Sequence, residues 1–211
     1  MWFLRFIQSS IGKKWIMALT GFCLLLFLCS HAAGNATLFV GVPLFQAYAN
    51  QLHSHPLIVS FFSSGLLLIF VLHIVTGILL ALQNRKARGH NYKVQKRART
   101  GANSQASATM IYSGLFILLF VLLHTAAVSF GDHATIGKTI EEMFSSFSLS
   151  IFYIISFMVL ALHLSHGFWS MLQTFGVNHP EYNGLIHSLT YIVPVFFLLL
   201  FGSLPLLFLF H

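Results

Sequence analysis

Five histidines sit inside long apolar runs of this chain: His31, His73, His124, His163 and His166. An ionisable group at such a position is costly, so it marks a candidate functional site. The imidazole ring offers a nitrogen lone pair to a metal or a proton near neutral pH. A single buried histidine is often a neutral ring bonded to a neighbouring helix. One on each of four successive apolar runs points to a shared task. The other seven, His53, His55, His90, His133, His179, His187 and His211, fall near connections or chain ends, where a wet side chain is the ordinary reading.

Little else in the chain offers chemistry. Its 211 residues include only four acids, which leaves paired-carboxylate hydrolysis out of reach. No Gly-rich phosphate loop, Ser/His/Asp order or tandem repeat is visible. Cys23 and Cys29 form neither the C-x-x-C-H pattern of covalent haem attachment nor the paired spacing of a zinc site, and read as apolar packing.

Four imidazoles on four apolar runs limit what they hold. Zinc or copper would draw them to one point, and a transport site would usually add carboxylates. Porphyrin iron needs one axial ligand on each face and otherwise an apolar slot. His31, His73, His124 and His163, one per run, are enough for two haems b. Gly77 and Gly167 follow His73 and His163 by four residues, and positions i and i+4 share a helix face. A glycine there leaves room for a porphyrin edge, and Gly34, three residues after His31, is expected to do the same. His166 shares the face of His163 and reads as a supporting or packing residue.

The elements that must position these residues are membrane helices. The chain is 57% hydrophobic and 7% charged, whereas a soluble domain carries about 25% charged residues. Five apolar runs, at 15–38, 57–83, 109–130, 149–174 and 187–210, each reach the ~20 residues that cross a bilayer. The expected fold is an all-α membrane protein, a bundle of five transmembrane helices in a single domain. Residues 1–11 precede it, with Trp2, Phe3, Phe6 and Ile7 forming one face of a short interfacial helix. That segment lacks a basic start and a small-residue cleavage site, so it does not read as a removed signal peptide.

Charge sets the orientation. Apart from Lys138, the basic residues lie either at Arg5, Lys13 and Lys14 or in the connection carrying Arg85, Lys86, Arg88, Lys93, Lys96, Arg97 and Arg99. Positive charge stays on the cytoplasmic side, which places the N-terminus inside and the C-terminus outside. The outer connections, 39–56 and 131–148, hold one Lys and three of the four acids (Asp132, Glu141, Glu142). The net charge of +7 is thus a topology signal facing membrane lipid, with no nucleic-acid partner implied.

Depth then predicts pairs. At ~1.5 Å rise per residue, His31 lies about 6 Å before Asn35 and His124 about 12 Å before Asp132, both towards the outer ends. His73 lies about 26 Å beyond Pro56 and His163 about 21 Å beyond Leu149 on helices running inward. Ligands of one haem need similar depth. The expectation is His31 with His124 in an outer layer, and His73 with His163 in an inner one.

At this point the pattern resembles a known family, the di-haem cytochrome b subunit of succinate:quinone oxidoreductases (succinate dehydrogenases and fumarate reductases) with a single membrane subunit. The resemblance covers nearly the whole chain. It includes Ser9-Ser10-Ile11-Gly12-Lys13-Lys14 with Ala18-Leu19-Thr20-Gly21, then His31 before Gly34-Asn35. It continues through Pro56-Leu57-Ile58-Val59-Ser60-Phe61 leading to His73, then His124. It ends in His163-Leu164-Ser165-His166-Gly167-Phe168-Trp169-Ser170, followed by Gln173 and Gly176. The resemblance implies one ligand from each of the first four helices and selects His163 over His166. It implies a flavoprotein subunit with FAD and an iron–sulfur subunit on the cytoplasmic face of a prokaryotic inner membrane. Menaquinone or another quinone would be the membrane substrate.

The chain departs from that family in its polar residues. Some fumarate-reducing members place an acid near the outer end of helix two, where this chain has Gln46, and a glutamate two residues before the helix-four ligand, where it has Ala161. Candidate quinone residues are therefore Gln46 and His53 (with His55) on the outer side, or Ser10 and Lys14 on the inner. Two other readings remain at this stage: a di-haem anchor for another respiratory dehydrogenase, and a haem-free transporter with histidine proton relays. With no flavin motif and too few cysteines for a cluster, the chain alone is not expected to oxidise succinate.

Overall fold

The computed structural model describes residues 2–87, 104–129, 132–177 and 179–210. Every regular element among them is helical: α1 (Trp2–Gln8), α2 (Ser10–Ala36), α3 (Val42–His53), α4 (Pro56–Ala87), α5 (Ser104–Ser129), α6 (Ile136–Ser145), α7 (Phe147–Thr174) and α8 (Asn183–Leu209), with 3-10 turns at Thr37–Phe39 and His133–Thr135. Five of these, α2, α4, α5, α7 and α8, are long and apolar enough to cross a membrane. The chain is an all-α, multi-pass membrane protein. In the predicted basic connection, Arg85 and Lys86 close α4. Arg88, His90, Lys93, Lys96, Arg97 and Arg99 lie outside the described residues, as does His211.

Two helices were not anticipated. The outer connections are folded into α3 and α6, whose short amphipathic sequences fall below the length of a span. Gly41 adopts φ +149° at the N-cap of α3, a conformation that glycine reaches without a Cβ clash. From α6, Ile136, Ile140 and Phe144 enter the buried core beside Leu38, Phe45 and Ala49. That end of the bundle is thus closed by packed helices.

The two ends of the Ser9–Gly176 resemblance have local physical reasons. Ser9 caps α2, its hydroxyl accepting the Gly12 amide proton at 3.0 Å and donating to the Phe6 carbonyl at 2.6 Å. A side chain at Gly12 would collide with the Phe6 carbonyl, so this glycine lets α1 fold back against α2. At the other end, Gly176 has φ +78°. Its amide bonds Gln173 O at 3.2 Å while Val177 N bonds Leu172 O at 3.0 Å, a Schellman closure of α7.

α2 packs on α4, α4 on α5, α5 on α7 and α7 on α2, a closed ring of four helices. α8 lies outside the ring, against α7 and α6. Outward-facing side chains are large and apolar, with Leu57 86% and Phe61 75% exposed. Exposed apolar surface on that scale requires lipid around it.

Candidate functional site

Inside the ring of α2, α4, α5 and α7 runs one cavity of about 2050 Å³. That is roughly twice the ~1,000 Å³ at which ordinary single-ligand pockets end. Its wall is mostly Leu, Ile, Val, Phe and Met. It reaches from Lys14, Asn84, Arg85 and Gln173 at one end to Asn35, Leu52 and His53 at the other. His31, His73, His124, His163 and His166 all line it.

The imidazoles meet in twos. The ring centres of His31 and His124 are 5.9 Å apart with planes at 86°, and those of His73 and His163 are 6.5 Å apart at 66°. These are the two pairs expected from depth along the helices. An imidazole nitrogen binds a first-row metal ion at ~2 Å, so two rings on opposite faces of one ion hold their centres about 6 Å apart. Among the described residues, no three His, Cys, Asp or Glu side chains gather as a metal cluster. Each pair offers two ring nitrogens, so a metal held there would have to take its remaining ligands from elsewhere.

Three of the four rings have their second nitrogen satisfied. His73 Nδ1 lies 3.1 Å from Thr20 Oγ1, His163 Nδ1 lies 3.1 Å from Ser113 Oγ, and His124 Nδ1 lies 3.2 Å from the Tyr153 hydroxyl. Each contact holds its ring in place, and where Nδ1 is the donor Nε2 is left free for a ligand. Thr20, Ser113 and Tyr153 were not singled out from sequence. Hydroxyls in apolar helices usually bond their own backbone, and nothing local marks those that also meet a ring on another helix.

The inner rings rest on glycines. A Cβ at Gly21 would lie 3.4 Å from His73 Cε1, and one at Gly114 would lie 3.5 Å from His163 Cε1. Thr20-Gly21 and Ser113-Gly114 are therefore matching seats on α2 and α5. His31 and His124 follow Thr20 and Ser113 by the same interval of 11 residues. Eleven residues make three turns on one face, which puts the two layers about 16 Å apart.

The three glycines expected to admit a porphyrin edge divide. Gly167 has open space at its Cβ position and lines the cavity. Gly77 also lines it, with Met17 Cε 3.0 Å from where a Cβ would sit. Gly34 instead accommodates the ring of Tyr48, whose atoms come within 2.7–2.9 Å of a Cβ there. It is a packing glycine between α2 and α3. The spacing of three residues put Gly34 near the His31 face, but α3, which fills that side, was invisible in the sequence.

Of the five residues considered for quinone, Lys14 and His53 line the cavity, at opposite ends. Ser10 stands exposed in the first turn of α2. Gln46 is spent on structure: its amide nitrogen donates to Asn50 Oδ1 at 2.7 Å and to the His133 carbonyl at 2.9 Å, and its oxygen accepts from Gly137 N at 2.9 Å. It ties α3 to α6. His53 bonds the Ala49 carbonyl through Nδ1 at 2.8 Å and stacks on His133, with ring centres 4.1 Å apart. His55 flanks a smaller surface pocket with Tyr48.

Two buried side-chain nitrogens in the cavity wall, His166 Nδ1 and Gln173 Nε2, have no hydrogen-bond partner. Buried polar atoms are nearly always paired, and a bound molecule with a polar edge would supply partners for both. A b-type porphyrin, apolar over most of its area and carboxylate-bearing at one edge, matches both the wall and these donors. Comparison with protein-family models, with curated proteins and with solved structures finds no match to this chain.

Proposed function

We propose that the chain is a di-haem cytochrome b, the membrane electron-transfer subunit of a succinate:quinone oxidoreductase. The observation that carries the di-haem reading is the two imidazole pairs, each with ring centres about 6 Å apart, stacked in one apolar cavity. The succinate:quinone part of the reading is supported by the order of motifs from Ser9 to Gly176. What bound haem supplies in such a site is one-electron transfer.

The protein's own residues would do the rest. His31 with His124, and His73 with His163, would hold two haems b in outer and inner layers about 16 Å apart. The apolar wall keeps water from both. Lys14, Arg85 and Gln173 would face carboxylates at the inner mouth, the end where a flavoprotein with FAD and an iron–sulfur subunit would dock. Lys14 at that end and His53 at the other are the two residues retained for quinone, menaquinone or another. In this reading the N-terminus is cytoplasmic and the C-terminus outside, because the basic residues concentrate at one set of ends, and the membrane is a prokaryotic inner membrane, as the resemblance implies.

Purification of the native complex tests the reading. Two haems per chain are expected, low-spin and fully extractable with acidic acetone. Dithionite should reduce them in the isolated chain, and succinate only when the partner subunits are present. One haem per chain, or a covalent adduct, overturns the assignment, and co-purification with a different dehydrogenase moves it to that enzyme.

A further inference from the structure

We propose that Thr20 and Ser113 are positioning residues that lower the reduction potential of the inner haem by accepting the Nδ1 protons of its two ligands. This rests on the di-haem reading above. Each hydroxyl has a single proton. Thr20 Oγ1 lies 2.7 Å from the Ile16 carbonyl and 3.2 Å from that of Met17, and a carbonyl only accepts. The proton is therefore committed to the helix backbone, and only lone pairs face the imidazole. His73 Nδ1, 3.1 Å away, must then carry the hydrogen. Ser113 repeats the arrangement, donating to the Met110 carbonyl at 3.0 Å while His163 Nδ1 lies at 3.1 Å.

Two consequences follow. The tautomer is fixed with Nε2 bare on both rings, so neither has to reorganise to bind metal. Each Nδ1–H is also polarised towards oxygen, which makes the ring a more basic ligand and favours the more highly charged iron. Two such bonds act on one iron. Several other Ser and Thr hydroxyls back-bond to their own helices, Ser30, Thr125 and Ser156 among them. Among the described residues, only Thr20 and Ser113 also reach a histidine ring of another helix. Each is followed by a glycine at which an added Cβ would already be in van der Waals contact with that ring. The same hydroxyl–glycine step thus recurs on α2 and α5 in the same register.

The outer layer lacks this device. Tyr153 has no second hydrogen-bond partner among the described residues, so its hydroxyl is free to donate to or accept from His124 Nδ1. His31 is packed between Phe27 and Phe201.

The test is redox titration of the native complex carrying Thr20→Val, Ser113→Ala, and the conservative Thr20→Ser and Ser113→Thr. The inner signal is the one lost in His163→Ala. Thr20→Val keeps the side-chain shape, and Ser113→Ala removes one oxygen. Each is expected to raise the inner potential, by up to a tenfold change in the reduction equilibrium, ~59 mV for one electron. The outer haem stays unshifted as an internal control, and the conservative variants return the inner value towards wild type. Should Thr20→Val not accumulate, Ser113→Ala, on a different helix, decides the point. Both haems present with an unmoved inner potential overturns the inference alone, as does a shift that Thr20→Ser and Ser113→Thr reproduce. A complex with no haem overturns the di-haem reading itself.

Discussion

The inner and outer histidine pairs use the same residue type in two different environments. His73 and His163 each rest on a hydroxyl–glycine step of a neighbouring helix, with Nδ1 in hydrogen-bond contact with that hydroxyl. His31 and His124 sit among aromatic rings. Phe27 stacks on His31 at 5.4 Å and Phe120 on His124 at 5.6 Å, with Phe201 and Tyr153 closing the sides. Both rings of the inner pair are held by directed bonds, whereas in the outer pair His124 alone has one, with Tyr153, and His31 is held by the shape of its aromatic neighbours. Directed bonds set proton position as well as place, whereas an aromatic cage sets place alone. Changes around the inner pair should therefore register in electronic properties, and changes around the outer pair in occupancy.

The largest effect expected is from removing a ligand. His163→Ala or His73→Ala should abolish the inner haem and leave the outer, halving the haem-to-protein ratio. His31→Ala or His124→Ala should do the converse. If His31 and His73 variants lost the same haem by electron paramagnetic resonance, the layered pairing would be wrong. Next comes steric displacement. Gly21→Leu or Gly114→Leu would push a side chain into the inner imidazole, since even a Cβ there is at contact distance. Loss of the inner haem with a normal outer spectrum is expected, while Gly21→Ala should be tolerated.

A smaller effect separates the two environments. Tyr153→Phe removes the one hydrogen bond that the imidazoles of the outer pair make among the described residues but keeps the ring that packs on Phe120, Phe144 and Phe157. Both haems should bind, with the outer potential moving by less than Thr20→Val moves the inner. Equal or larger movement, read by the same titration, would erase the contrast drawn here. The smallest effect on the cofactors is expected from Gln46→Ala. It should cost about 1–2 kcal/mol of stability through the lost ties to His133 and Gly137, seen as earlier thermal loss of the outer end. The haem spectrum and quinone reaction of the intact complex should be unchanged, as the role of Gln46 is to join α3 to α6.

The span architecture and the two imidazole pairs were legible in the sequence for simple reasons. Apolar run length counts spans because lipid leaves no other place for such segments. Helical rise is additive, so position along a run reports depth, and depth alone separates His31 and His124 from His73 and His163. What depth cannot report is rotation about the axis or the identity of the neighbour. The choice of Thr20 and Ser113 from among many back-bonded hydroxyls therefore belongs to the packing of α2 against α4 and of α5 against α7. Gly34 shows the same limit: its spacing from His31 is right for an open face, yet α3 brings Tyr48 onto it. Gln46 became a quinone candidate by counting from His73 along the resemblance, and only the packing of α3 against α6 gives its amide three partners. Local sequence determines which segments cross the membrane and at what height each side chain stands. Tertiary structure decides which side chains touch, because a contact depends on two helices at once.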